Sequence, residues 1–585
     1  MDSRALGPIL QAVRSAMAVS ILLGASSALA ATITVVNTLD TGPGSLRAAI
    51  GSAASGDTID FNVPLPATIT LTTPLTFGPS VSIVGPGADS LAISGGDSVV
   101  VIIVNGGAKV TISSLAIEHG SSQLGGGVLN AGTLTMTDVA LHDNSLGTHS
   151  GGAIFNDGTL SLIRCTIANN GADEGGGIYN HQGNVTIDHS DFESNVATAF
   201  SGDAPDGKGG GVSNEDLNGT VTVTDSTFHL NSANSAGGGI YSIGTLTVTR
   251  STFSANGALV GGGILNDAGT LTVTSSTISG NIVGTSGPEG GGGAGIVSNG
   301  PLTVSNSTIA DNISDGDAGG GGIWQIGSTA NISNSTISGN LATAEVVING
   351  QLITAGGGIL VWRGDVVLKN SIVAQNSVGG NCGTDSEGAF TSLDHNLSDD
   401  ASCAPFLIDA GDLNSTAAGL DPNGLRNNGG PTETIALLPT SAAVNAVPVG
   451  SCTDTSAAPV KTDQRGVLRP QGPACEIGAF EYFQSRLLIA AVQTFLLIDD
   501  VQSAPLPPGR QQALIAPLQA AIVSVNGGDI ETATNQLGAF INQTSALVRR
   551  GTLSSDQGSA LTTQAEGIIT MLRSGSPGGP PSLQP

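Results

Sequence analysis

Aromatic side chains make up only 3% of the 585 residues, and charged side chains only 11%. So few rings exclude a set of conventional cores filled by Phe, Tyr and Trp. A chain of this length must hide its apolar surface by repetition instead. Basic residues are scarce too: 18 Lys and Arg stand against 46 Asp and Glu, a formal net charge of −28. Such a chain repels nucleic-acid backbones and anionic polysaccharides, and no basic patch occurs along it, so no nucleic acid is expected as a partner. There are five cysteines, with no C-x-x-C pair and no His/Cys cluster of metal-ligand spacing. Beyond the first thirty residues no apolar run is long enough for a transmembrane helix.

Those thirty residues have their own character. Arg4 and Arg14 give a positive start, an apolar run extends from Ala16 to about Leu29, and Ala28-Leu29-Ala30 is an A-x-A pattern. Residues 1–30 therefore read as a secretory signal peptide, and the mature chain is expected to be secreted, extracellular or at a cell surface. Export permits disulfides. Cys382 and Cys403, and Cys452 and Cys475, fall as two local pairs and are the expected staples, with connectivity left open by sequence alone. Cys165 lies in a repeat strand and reads as a small buried residue.

What the chain has in abundance is glycine, 86 residues of it, and order in how it recurs. A glycine motif appears nine times, including GGGVLN (125–130), GGAIFN (151–156), GGGIYS (237–242) and GGGIWQ (320–325). Each is followed by a second motif such as GTLTVTRSTFSAN (244–256), closing on Asn144, Asn170, Asn195, Asn231, Asn256, Asn281, Asn312, Asn340 and Asn376. From the first Gly to the closing Asn the spacing is 19–22 residues, whereas from that Asn to the next Gly it runs from 5 to 16. One part of the unit is fixed and the variation falls at one corner. Leu246 and Val248 alternate with Thr245, Thr247 and Thr249, a period of two that predicts a strand. A unit this small cannot bury its own apolar face. Stacking is the solution, and the Asn residues are expected to form an amide ladder along the stack. The fold expected is all-β, a right-handed parallel β-helix of the pectate-lyase-like kind, with a small C-terminal α-helical domain.

GGAI (151–154) with FESN, FHLN and FSAN (192–195, 228–231, 253–256) resembles the paired repeats of chlamydial polymorphic outer-membrane proteins. That resemblance implies a β-helical passenger displayed on a cell surface with adhesive roles. The family's C-terminal membrane barrel has no counterpart in the pattern of this chain. Residues 31–105 read as an N-terminal cap and first coils, with a short helix from about Ser45 to Ser55, and 106–376 as the repeats. Residues 377–483 carry NNGGPT, DQRG and IGAFE in order and resemble the choice-of-anchor Q domain. There Asp463, Arg465 and Glu481 are expected to form a charge-assisted cluster that closes the last coil. Residues 484–574 show helical spacing, with an S-x-x-Q capping box at Ser554 and Gln557, and resemble a FIMAH-type domain. A Pro/Gly-rich tail, 575–585, is expected to be disordered.

Fold class does not give function. A lyase on such a scaffold needs Ca²⁺-binding carboxylates beside a basic residue, and a hydrolase needs converging carboxylates. Between residues 100 and 380 the basic residues Lys109, Arg164, Lys208, Arg250, Arg363 and Lys369 are scattered over different coils, and no catalytic residue is assigned. Three inserts, 196–208, 282–292 and 341–355, leave one corner, where Asp203, Asp206, Asp315 and Asp317 are the candidates for Ca²⁺; no other cofactor is expected. The reading is a surface scaffold binding an extracellular glycan or cell-surface ligand without catalysis. The alternative is a polysaccharide lyase or glycoside hydrolase.

Overall fold

Among the described residues, seven successive repeats supply four extended segments each. In one coil these are Ile240–Ser242, Thr245–Thr249, Thr252–Ser254 and Gly257–Ala258. They join, in that order, sheets we call I, II, III and IV, of 12, 14, 13 and 7 strands. The chain is a right-handed parallel β-helix, seen in a computed structural model that describes residues 30–122, 124–145, 150–198, 207–284, 292–315, 319–342, 346–348, 351–353, 356–385, 387–482 and 485–573. The signal-peptide reading of 1–30 and the tail 575–585 lie, but for residue 30, outside them.

Register explains the stability. Every strand pairs with its equivalent one coil on, so that Leu246 meets Leu271 and Val248 meets Val273. Like stacks on like, at about 4.8 Å per coil. Leu246, Val248, Leu271 and Val273 are wholly buried, and each such side chain contributes about 1.5–3 kcal/mol relative to exposure. In sheet III the interior column holds the rings of Phe192, Phe228 and Phe253, with centroids 4.5 and 4.6 Å apart. It continues as Ile278, Ile309 and Ile337.

The glycine motif marks the corner into sheet I. Gly237 has φ of +64° and a Cβ on it would lie 2.5 Å from the carbonyl oxygen of Ile240, and a Cβ on Gly238 would lie 2.4 Å from that of Gly262 in the next coil. Neither place admits a side chain. The corner between sheets II and III is built differently. There Ser114, Asp138, Arg164, His189, Asp225, Arg250, Ser275, Asn306, Asn334 and Asn370 all hold φ between +47° and +56°. One left-handed non-glycine residue per coil forms a column, and this corner points its side chains outward.

The ends are covered. Helix α1 (Leu46–Ser52), capped by Ser45, buries Leu46, Ala49 and Ile50 against the first coils. Beyond the last coil an antiparallel pair, Leu420–Arg426 with Thr434–Leu437, and the loops to Glu481 fold back over sheet III, packing on Ala310, Ile372 and Ala374. Disulfides Cys382–Cys403 and Cys452–Cys475 close loops in this region. Helices α2 (Ser485–Ser503), α3 (Pro508–Asn526), α4 (Ile530–Arg549) and α5 (Ser555–Arg573) surround their own core of Leu497, Leu518, Phe540 and Ala565. No helix of the described residues is long and apolar enough to cross a membrane.

Candidate functional site

The outer face of sheet III changes character part-way along. At one register position the coils present Thr166, Asp191, Thr227, Thr252, Thr277, Thr308 and Thr336 in succession. Thr166 and Asp191 are exposed and Thr227 and Thr252 half-buried, yet Thr277 and Thr308 are 0% exposed and Thr336 1%. The same residue type in the same place is buried because the C-terminal loops lie on it. The Thr277 hydroxyl donates to the Glu433 carbonyl (2.6 Å) and that of Thr308 to Gln464 Oε1 (2.6 Å). Asn306 donates to the Thr462 carbonyl (2.7 Å), and Thr336 Oγ1 accepts from the Ala479 amide (3.0 Å). The covering loops end at exposed Pro431, beside Thr227 and Thr252.

From Ala67 to Ser254 the face is open, a strip of eight strands about 34 Å long. A second outward column runs Glu118, His142, Ala168, Glu193, His229 and Ser254. His142 Nε2 lies 3.6 Å from Glu118, and His229 Nδ1 3.0 Å from the Ser254 hydroxyl. The flanking left-handed corner adds ion pairs. Arg164 grips Asp138 through two bonds (2.7 and 2.8 Å), and Arg250 grips Asp225 likewise (2.7 and 2.5 Å). Those guanidinium contacts hold the Asp138 and Asp225 carboxyls below the usual range and raise both arginines. Neither aspartate is therefore poised as a general acid, and neither arginine as a base.

Three concave places lie along this strip. One is bounded by Pro66, Ala88, Glu118 and His142, a second by Asp89, Asp138, Ala140 and Arg164. The third, of about 240 Å³, is lined by His189, Asp225, Ser226, Thr227, Arg250, Thr252 and Pro431. Beside it ligand-capable atoms of Asp188, His189 and Asp225 lie within 4.8 Å of one another. Both Asp225 oxygens are engaged by Arg250.

The structure brings other residues together than those singled out for Ca²⁺. Asp203, Asp206 and Asp317 lie outside the described residues. Asp315 follows the sheet IV strand Ile313–Ser314, with its amide bonded to the Val283 carbonyl (2.9 Å). The three inserts begin with the sheet IV strands Val196–Ala197, Ile282–Val283 and Leu341–Ala342, on one edge. Asn144, Asn170, Asn195, Asn231, Asn256, Asn281, Asn312, Asn340 and Asn376 are in one buried ladder, each Nδ2 donating to the next Oδ1 at 2.8–3.0 Å and the last to Asn381. Asn130, Asn156, Asn180 and Asn214 form a second ladder at 2.7–2.8 Å. Its signal was the last letter of the glycine motifs. In the C-terminal loops Arg465 pairs with Asp463 (2.6 Å) and stacks on Phe480, whereas the Glu481 carboxylate goes to Arg469 (3.1 Å). Arg465 reaches only the Glu481 carbonyl (2.6 Å), so the expected trio is two ion pairs.

Residues 93–253 match the model of a family described as the right-handed β-helix region. That stretch holds most of the open strip. No curated protein matches the chain.

Proposed function

We propose that the chain is a secreted β-helical scaffold that binds a neutral extracellular or cell-surface glycan along the open strip of sheet III, without cleaving it. The observation that carries this reading is the strip itself, left bare while the rest of the same sheet is roofed. It offers carboxylates, imidazoles and hydroxyls at a constant spacing, the groups that exchange hydrogen bonds with sugar hydroxyls. A polymer lying along the axis meets a comparable set on each coil. Asp191, Glu193, Asp188 and Asp225 make the part of it nearest the covering loops acidic, which disfavours anionic sugars. The N-terminal pattern supports secretion, and the polymorphic outer-membrane protein resemblance supports the adhesive role.

Cleavage is disfavoured because the strip's arginines and their aspartates are locked together as ion pairs. The experiment is retention of the full-length secreted chain on immobilised xylan, mannan, cellulose and polygalacturonate. Retention is expected on a neutral polymer and not on polygalacturonate. Asp191→Lys with Glu193→Lys should lower retention about ten-fold, while deletion within insert 282–292 should leave it unchanged. The opposite pattern moves the site to the insert edge, and new reducing ends or unsaturated sugars would establish an enzyme.

A further inference from the structure

We propose that this strip recognises the end of a glycan chain rather than its interior, an inference that rests on the binding role above. The groove along sheet III has one blind end. The loop Asn427–Glu433 crosses it at the coil of Ser275 and Thr277: the Thr432 hydroxyl donates to the Ser275 carbonyl (3.3 Å), and the Glu433 carbonyl accepts from Thr277 (2.6 Å). Gln464 fixes the loop from behind, its Nε2 donating to Thr277 Oγ1 and Thr432 Oγ1 (both 2.9 Å) and to the Glu433 carbonyl (3.0 Å). Gln464 is 1% exposed and Thr432 6%, so the wall is built in, not a loose flap.

The groove terminates against Pro431, and there the third concave place opens, between His189, Asp225, Thr227, Arg250 and Thr252. A polymer running straight along the strip meets this wall. A chain terminus can seat against it without bending, and its last sugar would lie over Thr227 and Thr252. The Asp225–Arg250 pair supplies an acceptor and a donor side by side, matched to the neighbouring hydroxyls of a terminal neutral sugar. Asp225 and Asp188 act on the one guanidinium here, and Asp191 and Glu193 lie on the adjacent strand, so a terminal uronate is disfavoured.

The test compares xylo-, manno- and cello-oligosaccharides of two to six units with their parent polymers, by calorimetry on the full-length chain. If ends are bound, affinity per chain levels off within a few units, and the polymer binds within about three-fold of the hexamer on a molar-chain basis. Thr252→Tyr, filling the blind end, should weaken disaccharide binding about ten-fold, while Thr222→Tyr, exposed on the outer face of sheet II and off the strip, should leave it unchanged. Stoichiometry above one protein per polymer chain, rising with chain length, would overturn the end-binding proposal and leave the binding role standing. Disaccharide binding indifferent to Thr252→Tyr would do the same. No binding to any glycan would overturn both.

Discussion

Single residues do most of the work at the places where repetition stops. Glu476 is 1% exposed, with its Oε1 accepting from the Asn445 amide (3.3 Å), beside the buried Glu481–Arg469 pair. Burial, and then the neighbouring Glu481 carboxylate, push its carboxyl up to about 9. The folded state thus keeps a proton that the unfolded chain gives up near its ordinary value of about 4.3. Its contribution is fully present below that value and declines steadily as pH rises towards 9. Glu476→Gln keeps the shape and removes the titration. The thermal midpoint of the wild-type chain should fall between pH 5 and pH 8 by more than that of the variant. Parallel curves would mean that Glu476 is already ionised in the fold.

At the scale of elements, the ladders decide. Asn256 is buried, donates to the Phe228 carbonyl (2.9 Å) and Asn281 Oδ1 (3.0 Å), and accepts from both nitrogens of Asn231 (3.0 Å each). Asn256→Ala leaves those groups unpaired inside the corner and should cost about 2–4 kcal/mol, seen as a lower urea midpoint. Asn218→Ala, in an exposed loop, should cost less than about 0.5 kcal/mol. Equal effects would reduce the ladder to decoration. The Asn column was legible because one letter recurs in phase, and the strand Thr245–Thr249 because Leu and Val alternate with Thr. The two-residue strands of sheet IV were not, since a pair such as Gly257-Ala258 carries no periodicity. Nor was the second ladder's extent, because Asn gives way to Ser242 and Ser298, which accept from Asn214 and Asn266.

At the scale of the molecule, the site arises from two distant parts of the chain. Identical threonines are open at Thr227 and roofed at Thr277 only because residues 156 positions away come to lie on the latter. No local pattern encodes that, so the sequence points to the variable inserts and the aspartates near them and not to Glu118, His142, Asp191, Glu193 and His229. The β-helix itself was legible throughout, being written nine times. Its use depended on where the C-terminal loops stop.

Carboxyl footprinting of the full-length chain, with and without the neutral glycan it retains, tests this account most directly. The account predicts that labelling of Asp191 and Glu193 falls on binding while Glu387 and Asp399, on other coils, label as before, with no new chain ends in the same sample. Unchanged labelling of the strip, or release of new ends, would contradict it.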